Sequence, residues 1–145
     1  MSPQTFDTYH EDVAAYLRDK GPHSGLPGWL GIRHVEVGPG RLVAELDCRD
    51  ELLNTWGTMH GGVISALTDH VLGAVLYPVI QKRAWAATTE FKLNLTKPIT
   101  AGTVRATSEV VTLGRSTAVV RIDVHNEGRT VALAQGTVTI VPPRD

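Results

Sequence analysis

His60-Gly61-Gly62 opens a nearly unbroken apolar stretch, Val63 to Pro78, in which Asp69 is the one carboxylate. Just upstream, Asn54-Thr-Trp-Gly57-Thr-Met is rich in small and polar residues. A turn of this kind running into an apolar stretch predicts a loop feeding a helix start. The first turn of a helix leaves backbone N–H groups without intrahelical partners, and it carries a partial positive charge. Such donors suit a carbonyl whose oxygen gains negative charge, and a carboxylate in the same element suits proton abstraction or direct attack. The chain thus places an electrophile-activating end and an acid in one helix. Spacing adds a constraint: eight residues at ~1.5 Å of rise put Gly61 and Asp69 ~12 Å apart. If both act on one substrate, they come from two chains whose helices run antiparallel across a twofold.

The elements that must position these residues are legible in outline. Thr5 to Lys20 carries Phe6, Val13, Ala14 and Leu17 at roughly helical spacing and is closed by Gly21-Pro22. His23 to Gly28 reads as a Gly/Pro loop. Ile32–Val37 and Leu42–Leu46 flank Gly38-Pro39-Gly40 and read as a hairpin, after which Asp47 to Met59 is a connecting loop. The central helix is expected from about His60 to Tyr77, ended by Pro78. Four strand-like segments follow, Ala86–Leu95, Thr103–Leu113, Ser116–Val124 and Thr130–Val141. In the first of these, Thr89, Phe91, Leu93 and Leu95 alternate with Thr88, Glu90, Lys92 and Asn94. The order predicts one α+β domain over residues 1–145, a mostly antiparallel sheet on the central helix, with residues 1–22 appended as an N-terminal helix. That central helix is apolar around most of its circumference, which predicts a second cover, most economically a partner subunit.

Composition excludes several classes. The formal net charge of −1, from 14 basic and 15 acidic residues, provides no electrostatic footprint for nucleic acid. The longest apolar stretch is broken by Ser65, Thr68, Asp69, His70 and Pro78, so no membrane span is expected. Cys48 stands alone, which rules out an internal disulfide and is read as a packing residue. With no secretory-type start, a reducing cytoplasm is the expected location. His23, His34 and His125 have no ligand spacing, and no metal is expected.

Asn54, Gly57, His60-Gly61-Gly62 and Asp69, with Thr88-Thr89-Glu90-Phe91-Lys92-Leu93-Asn94 and Pro98 further on, resemble the hotdog-fold acyl-CoA thioesterases, in particular the phenylacetate-pathway (PaaI-like) type. The Asn lies six residues before the His and the Asp eight after the first Gly, and the likeness runs over residues 30–142. The resemblance implies a hotdog fold and hydrolysis of an acyl-CoA. It implies that the Gly61 N–H polarises the thioester carbonyl, Asn54 orients the carbonyl or a water, and His60 fixes the loop. Asp69 acts as general base or nucleophile, and Thr88 holds a water. Gly62, Lys97, Arg115, Ser116 and Thr117 fall where relatives contact CoA. No cofactor is implied, CoA being part of the substrate. The implied assembly is a homodimer with shared active sites, joining into a homotetramer. Trp56, His70 and Tyr77-Pro78 depart from the family pattern and are expected to shape the acyl pocket.

Two other functions compete. A hotdog hydratase or dehydratase would want an acid and a His about five residues apart on the helix. Here His70 adjoins Asp69, and the next His is His125. A non-catalytic acyl-CoA or acyl-carrier binding module needs no carboxylate at the carbonyl.

Overall fold

The computed structural model describes residues 4–144. A six-stranded, wholly antiparallel sheet wraps one helix. The strands are β1 (Arg33–Gly38), β2 (Arg41–Asp47), β3 (Trp85–Leu95), β4 (Thr103–Leu113), β5 (Thr117–Asn126) and β6 (Arg129–Val141), in the spatial order β1-β2-β4-β5-β6-β3. The central helix is α3 (Gly61–Ala74), and α1 (Glu11–Lys20) and α2 (Gly25–Leu30) precede the sheet. This is the hotdog α+β fold.

Burial follows from the alternation of the strands. Val104, Ala106, Ser108 and Val110 of β4, with Ala118, Val120, Ile122 and Val124 of β5, face Ile64, Leu67, Val71 and Leu72 of α3 in one continuous core. Gly136 of β6 is needed where the layers approach most closely. A Cβ there would stand 2.6 Å from both Glu90 O and Phe91 Cβ and 3.0 Å from Leu72 Cδ1. The outer sheet face carries interlocked charges instead. Arg105 bonds Glu36 and Glu45, Arg41 bonds Glu36 and lies near Glu109, and Arg121 bonds Glu109. Exposed pairs of this kind stabilise little, but they neutralise the arginines of that face.

Several boundaries differ from the sequence expectation. The N-terminal helix begins at Glu11, not near Thr5, and His10 is tied instead to Pro78 O and Ile80 O. The expected loop at His23–Gly28 gives way from Gly25 to α2, which runs on to Leu30 and is ended by Gly31 in the left-handed region at φ 75°. The connecting loop after β2 holds a single 3-10 turn, Asp50–Leu52. The central helix stops at Ala74, and residues 75–79 continue as tight turns before the chain enters β3. The alternation expected in β3 is interrupted by a bulge between Thr88 and Glu90. An extra residue reverses side-chain parity. Thr88 therefore shares the inward side with Ala86, and beyond the bulge Phe91 and Leu93 take that side, both packed on the core.

β3 is an edge strand, paired only with β6 among the described residues, and its Thr88, Glu90, Lys92 and Asn94 are exposed. On α3, Gly62 and Asp69 are exposed, with Ser65 and Ala66 half-buried between them. Among the described residues this stripe holds the two exposed residues of the helix, with Gly61, Val63 and His70 half-buried beside it. The second cover inferred from composition has less to cover than an all-round apolar helix would require.

Candidate active site

The loop before α3 is built to present the helix start. Asn54 Oδ1 accepts from the backbone N–H groups of Trp56 (2.9 Å) and Thr58 (3.2 Å), and its Nδ2 donates to Thr58 Oγ1 (3.0 Å). Gly57 completes the turn at φ 78°, a conformation that glycine adopts without steric cost. Met59 N–H donates to Ile99 O and His60 N–H to Leu52 O, which anchors the loop on both sides. Asn54 is therefore first a turn-forming residue, with one amide N–H left to reach a ligand.

His60 caps the helix. Its Nδ1 accepts the Gly62 N–H at 2.8 Å, and its carbonyl accepts the Val63 N–H at 2.9 Å. A ring nitrogen that accepts carries no proton, so this bond assigns the His60 ring proton to Nε2. Among the first three N–H groups of α3, those of Gly62 and Val63 are thus occupied. The Gly61 N–H has no partner among the described residues. Gly61 lines a cavity of about 300 Å³ together with Asn54, Thr58, Ile64, Leu95 and Lys97.

Asp69 lies elsewhere. It lines a second cavity, of about 530 Å³, with His34, His70, Tyr77, Trp85 and Thr88 among its walls. The two cavities share no lining residue. The candidate residues of the sequence are thus brought together as two sets, Asn54, His60, Gly61 and Lys97 at the helix start, and Asp69 and Thr88 two turns along. Asp69 is solvent-exposed within one chain, not desolvated by its own helix. Of the three departures from the family pattern, His70 and Tyr77 line the Asp69 cavity, whereas Trp56 projects 88 % exposed from the turn tip and lines neither. Arg115 and Ser116 border a separate cavity of about 450 Å³ beside Val79, Ile80 and Ala84, and Thr117 is exposed at the start of β5.

Sequence spacing missed one feature. His34, in β1, and His70, in α3, meet with their Nε2 atoms 2.8 Å apart, and His34 Nδ1 lies 2.9 Å from Leu17 O. Burial pushes both imidazoles below the ordinary histidine range. His70 falls to about 4, through burial first and the neighbouring His34 second, against a weaker opposing pull from Asp69. Residues 36 apart in sequence reveal such a pair only once the fold is known. Cys48 is half-buried against the core, and burial with the nearby Asp50 raises its thiol pKa, so no reactive thiolate is held there. Among the described residues no three His, Cys, Asp or Glu side chains gather in a way that could hold a metal ion, and no helix is long and apolar enough to cross a membrane.

The antiparallel sheet wrapped on a central helix is that of the hotdog fold class. The thioesterase superfamily profile matches residues 56–133, and the chain belongs to that superfamily. It is similar to the 1,4-dihydroxy-2-naphthoyl-CoA hydrolase of Listeria monocytogenes, 30% identical over 71% of this chain and 84% of that protein. Human acyl-coenzyme A thioesterase 13 is 26% identical over 74% of this chain and 77% of its own. A crystal structure of a phenylacetic acid degradation-related protein from Ralstonia eutropha superposes with a TM-score of 0.80 at 26% identity, over 88% of this chain and 98% of that one. By class the protein is a thioesterase.

Proposed function

We propose that the protein hydrolyses an acyl-CoA thioester at a site shared by two copies of the chain. The observation that carries this reading is the division of the site. The open Gly61 N–H and Asp69 lie in separate cavities of one chain, ~12 Å apart along α3. Two α3 helices packed antiparallel along their open stripe would set the helix start of each against the Asp69 cavity of the other. The unpaired edge of β3 is available to continue the sheet across the same twofold. In that assembly Asp69 loses its exposure.

The chemistry follows from the groups. Asp69 takes a proton from a water held with Thr88, and the water oxygen adds to the thioester carbonyl. Negative charge moves to the carbonyl oxygen, where the Gly61 N–H of the other chain stabilises it; one such donor contributes a few kcal/mol. The intermediate collapses by breaking the C–S bond. CoA leaves as thiolate, the acid is released, and the proton on Asp69 returns to the thiolate. In the variant with Asp69 as nucleophile, its carboxylate adds first and water then cleaves the anhydride. A single turnover in ¹⁸O-water that labels Asp69 establishes the anhydride route with water attacking the aspartyl carbonyl, and trapping of an acylated Asp69 detects that route whichever carbonyl the water attacks. Neither route needs a metal or cofactor. In this reading Lys97, which lines the same cavity as Gly61, and Gly62 meet the CoA end, and Arg115, Ser116 and Thr117 contact its phosphates. The relatives' names support CoA as the thiol, and a pair of dimers is the assembly we expect.

The test is thiol release from a panel of acyl-CoAs. Asp69→Ala should lower turnover at least ~100-fold, the usual scale for a general base, and leave the fold of each chain intact because within one chain the side chain is exposed. Near wild-type turnover in Asp69→Ala would end this mechanism.

A further inference from the structure

The His34–His70 pair has a fixed polarity. A carbonyl oxygen only accepts, so His34 Nδ1, 2.9 Å from Leu17 O, carries the proton of that ring. A neutral His34 therefore presents a lone pair at Nε2. His70 Nε2, 2.8 Å away, must then be the donor, and this leaves the lone pair of His70 on Nδ1. Both rings are held neutral near pH 7 by burial. His34 is 6 % exposed and anchored to the last turns of α1, so the arrangement is braced from behind.

His70 Nδ1 makes no hydrogen bond among the described residues, and the half-buried His70 is one of the residues that line the cavity of Asp69 and Thr88. A histidine that serves packing alone has no need to hold one nitrogen open in a fixed tautomer. The neighbouring walls are small or flat: Gly73, Ala74 and Ala86, with Tyr77 and Trp85. They leave room for a planar group against the imidazole.

We propose that His70 is a specificity-determining residue of the acyl pocket, its Nδ1 accepting a hydrogen bond from a hydroxyl on the acyl group. His34 and the Leu17 carbonyl are positioning groups that fix its tautomer. This rests on the thioesterase reading, which places the acyl group beside Asp69. An acyl group with an ether or nothing at that position leaves the acceptor dehydrated and unmet, and sites built on a substrate hydroxyl discriminate strongly against analogues that lack it.

The experiment measures kcat/KM by thiol release for phenylacetyl-CoA and its ortho-, meta- and para-hydroxy and methoxy derivatives. Wild-type protein should favour at least one hydroxy isomer over the matching methoxy ether by about tenfold or more. His70→Gln retains an amide N–H near Nε2, so the bond to His34 survives, but it has no acceptor near Nδ1. Its preference should fall to about unity. His70→Asn places an amide oxygen near Nδ1 and should restore part of the preference, which a merely structural role would not do. Imidazole ¹⁵N shifts near neutral pH should show His34 protonated at Nδ1 and His70 at Nε2. Equal wild-type rates on hydroxy and methoxy forms at every ring position, or a His70 protonated at Nδ1, overturns the proposal and leaves the thioesterase reading standing. Failure of wild-type protein to cleave any acyl-CoA overturns both.

Discussion

The division of the site between chains is open to a quantitative test by subunit mixing. Asp69→Ala removes the base but keeps a sound helix start. Gly61→Pro removes the open N–H but keeps Asp69. Proline is tolerated in the first turn of a helix, and the atom that a Cβ at Gly61 would meet is Leu95 Cδ1, 2.7 Å away on an exposed, flexible side chain. Each variant alone should be close to inactive. When the two are unfolded, mixed in equal amounts and refolded, random pairing makes about half of the dimers mixed. A mixed dimer with cross-chain sites has one sound site, built from Gly61 of the first chain and Asp69 of the second, and one site damaged twice. Recovery should thus approach about a quarter of wild-type activity in a twofold assembly. If each site were built within one chain, every site in the mixture would be damaged and recovery would be about zero. The assay is acyl-CoA hydrolysis against refolded wild-type protein, with circular dichroism to show that Gly61→Pro folds. Should it not fold, Asn54→Ala takes its place as the damaged helix-start half, and recovery is then read above the activity that Asn54→Ala retains alone. Folded mixed dimers without recovered activity, or a verified monomer working at full rate, would refute the cross-chain site.

Other outcomes follow from the same geometry. His60→Ala loses the cap on Gly62 and should cost about 1 kcal/mol of stability, while it and Asn54→Ala reduce kcat/KM less than Asp69→Ala, as measured by denaturation and thiol release. Thr88→Ala should be similar or milder; a loss equal to that of Asp69→Ala would exchange their roles. Gly136→Ala should destabilise by about 1–3 kcal/mol through overpacking, since its Cβ meets Glu90 O and Phe91 Cβ at 2.6 Å, and an unchanged melting temperature would contradict that close approach. Acid should weaken the fold through His70: above pH 6.5 both states are neutral, but between 6.5 and about 4 the unfolded imidazole takes a proton that the folded one refuses. At about 1.36 kcal/mol per pH unit the loss reaches roughly 3 kcal/mol near pH 4. Urea titrations across that range should show it, and His70→Phe should flatten that part of the profile.

Local signals in the chain were enough to locate the helix start. His60-Gly61-Gly62 before an apolar stretch determined where α3 begins, because capping and loop residues act over one turn. The interval to Asp69 determined that the two groups cannot serve one carbonyl from one chain, because helical rise is a constant. Alternation and Gly/Pro punctuation located the strands. Long-range juxtaposition was beyond such signals. Strand order, which sends β3 to the far edge beside β6, depends on which surfaces bury the most apolar area together. The bulge at Thr88 depends on pairing with β6, and it alone turns Thr88 toward the Asp69 cavity. The short helix α2 was hidden by its Gly and Pro content, which reads as loop until packing holds it. Above all, His34 and His70 carry no shared periodicity and no ligand spacing. Only the packing of α3 on the sheet, with α1 behind β1, brings their rings together and removes the water that would otherwise leave them two ordinary histidines.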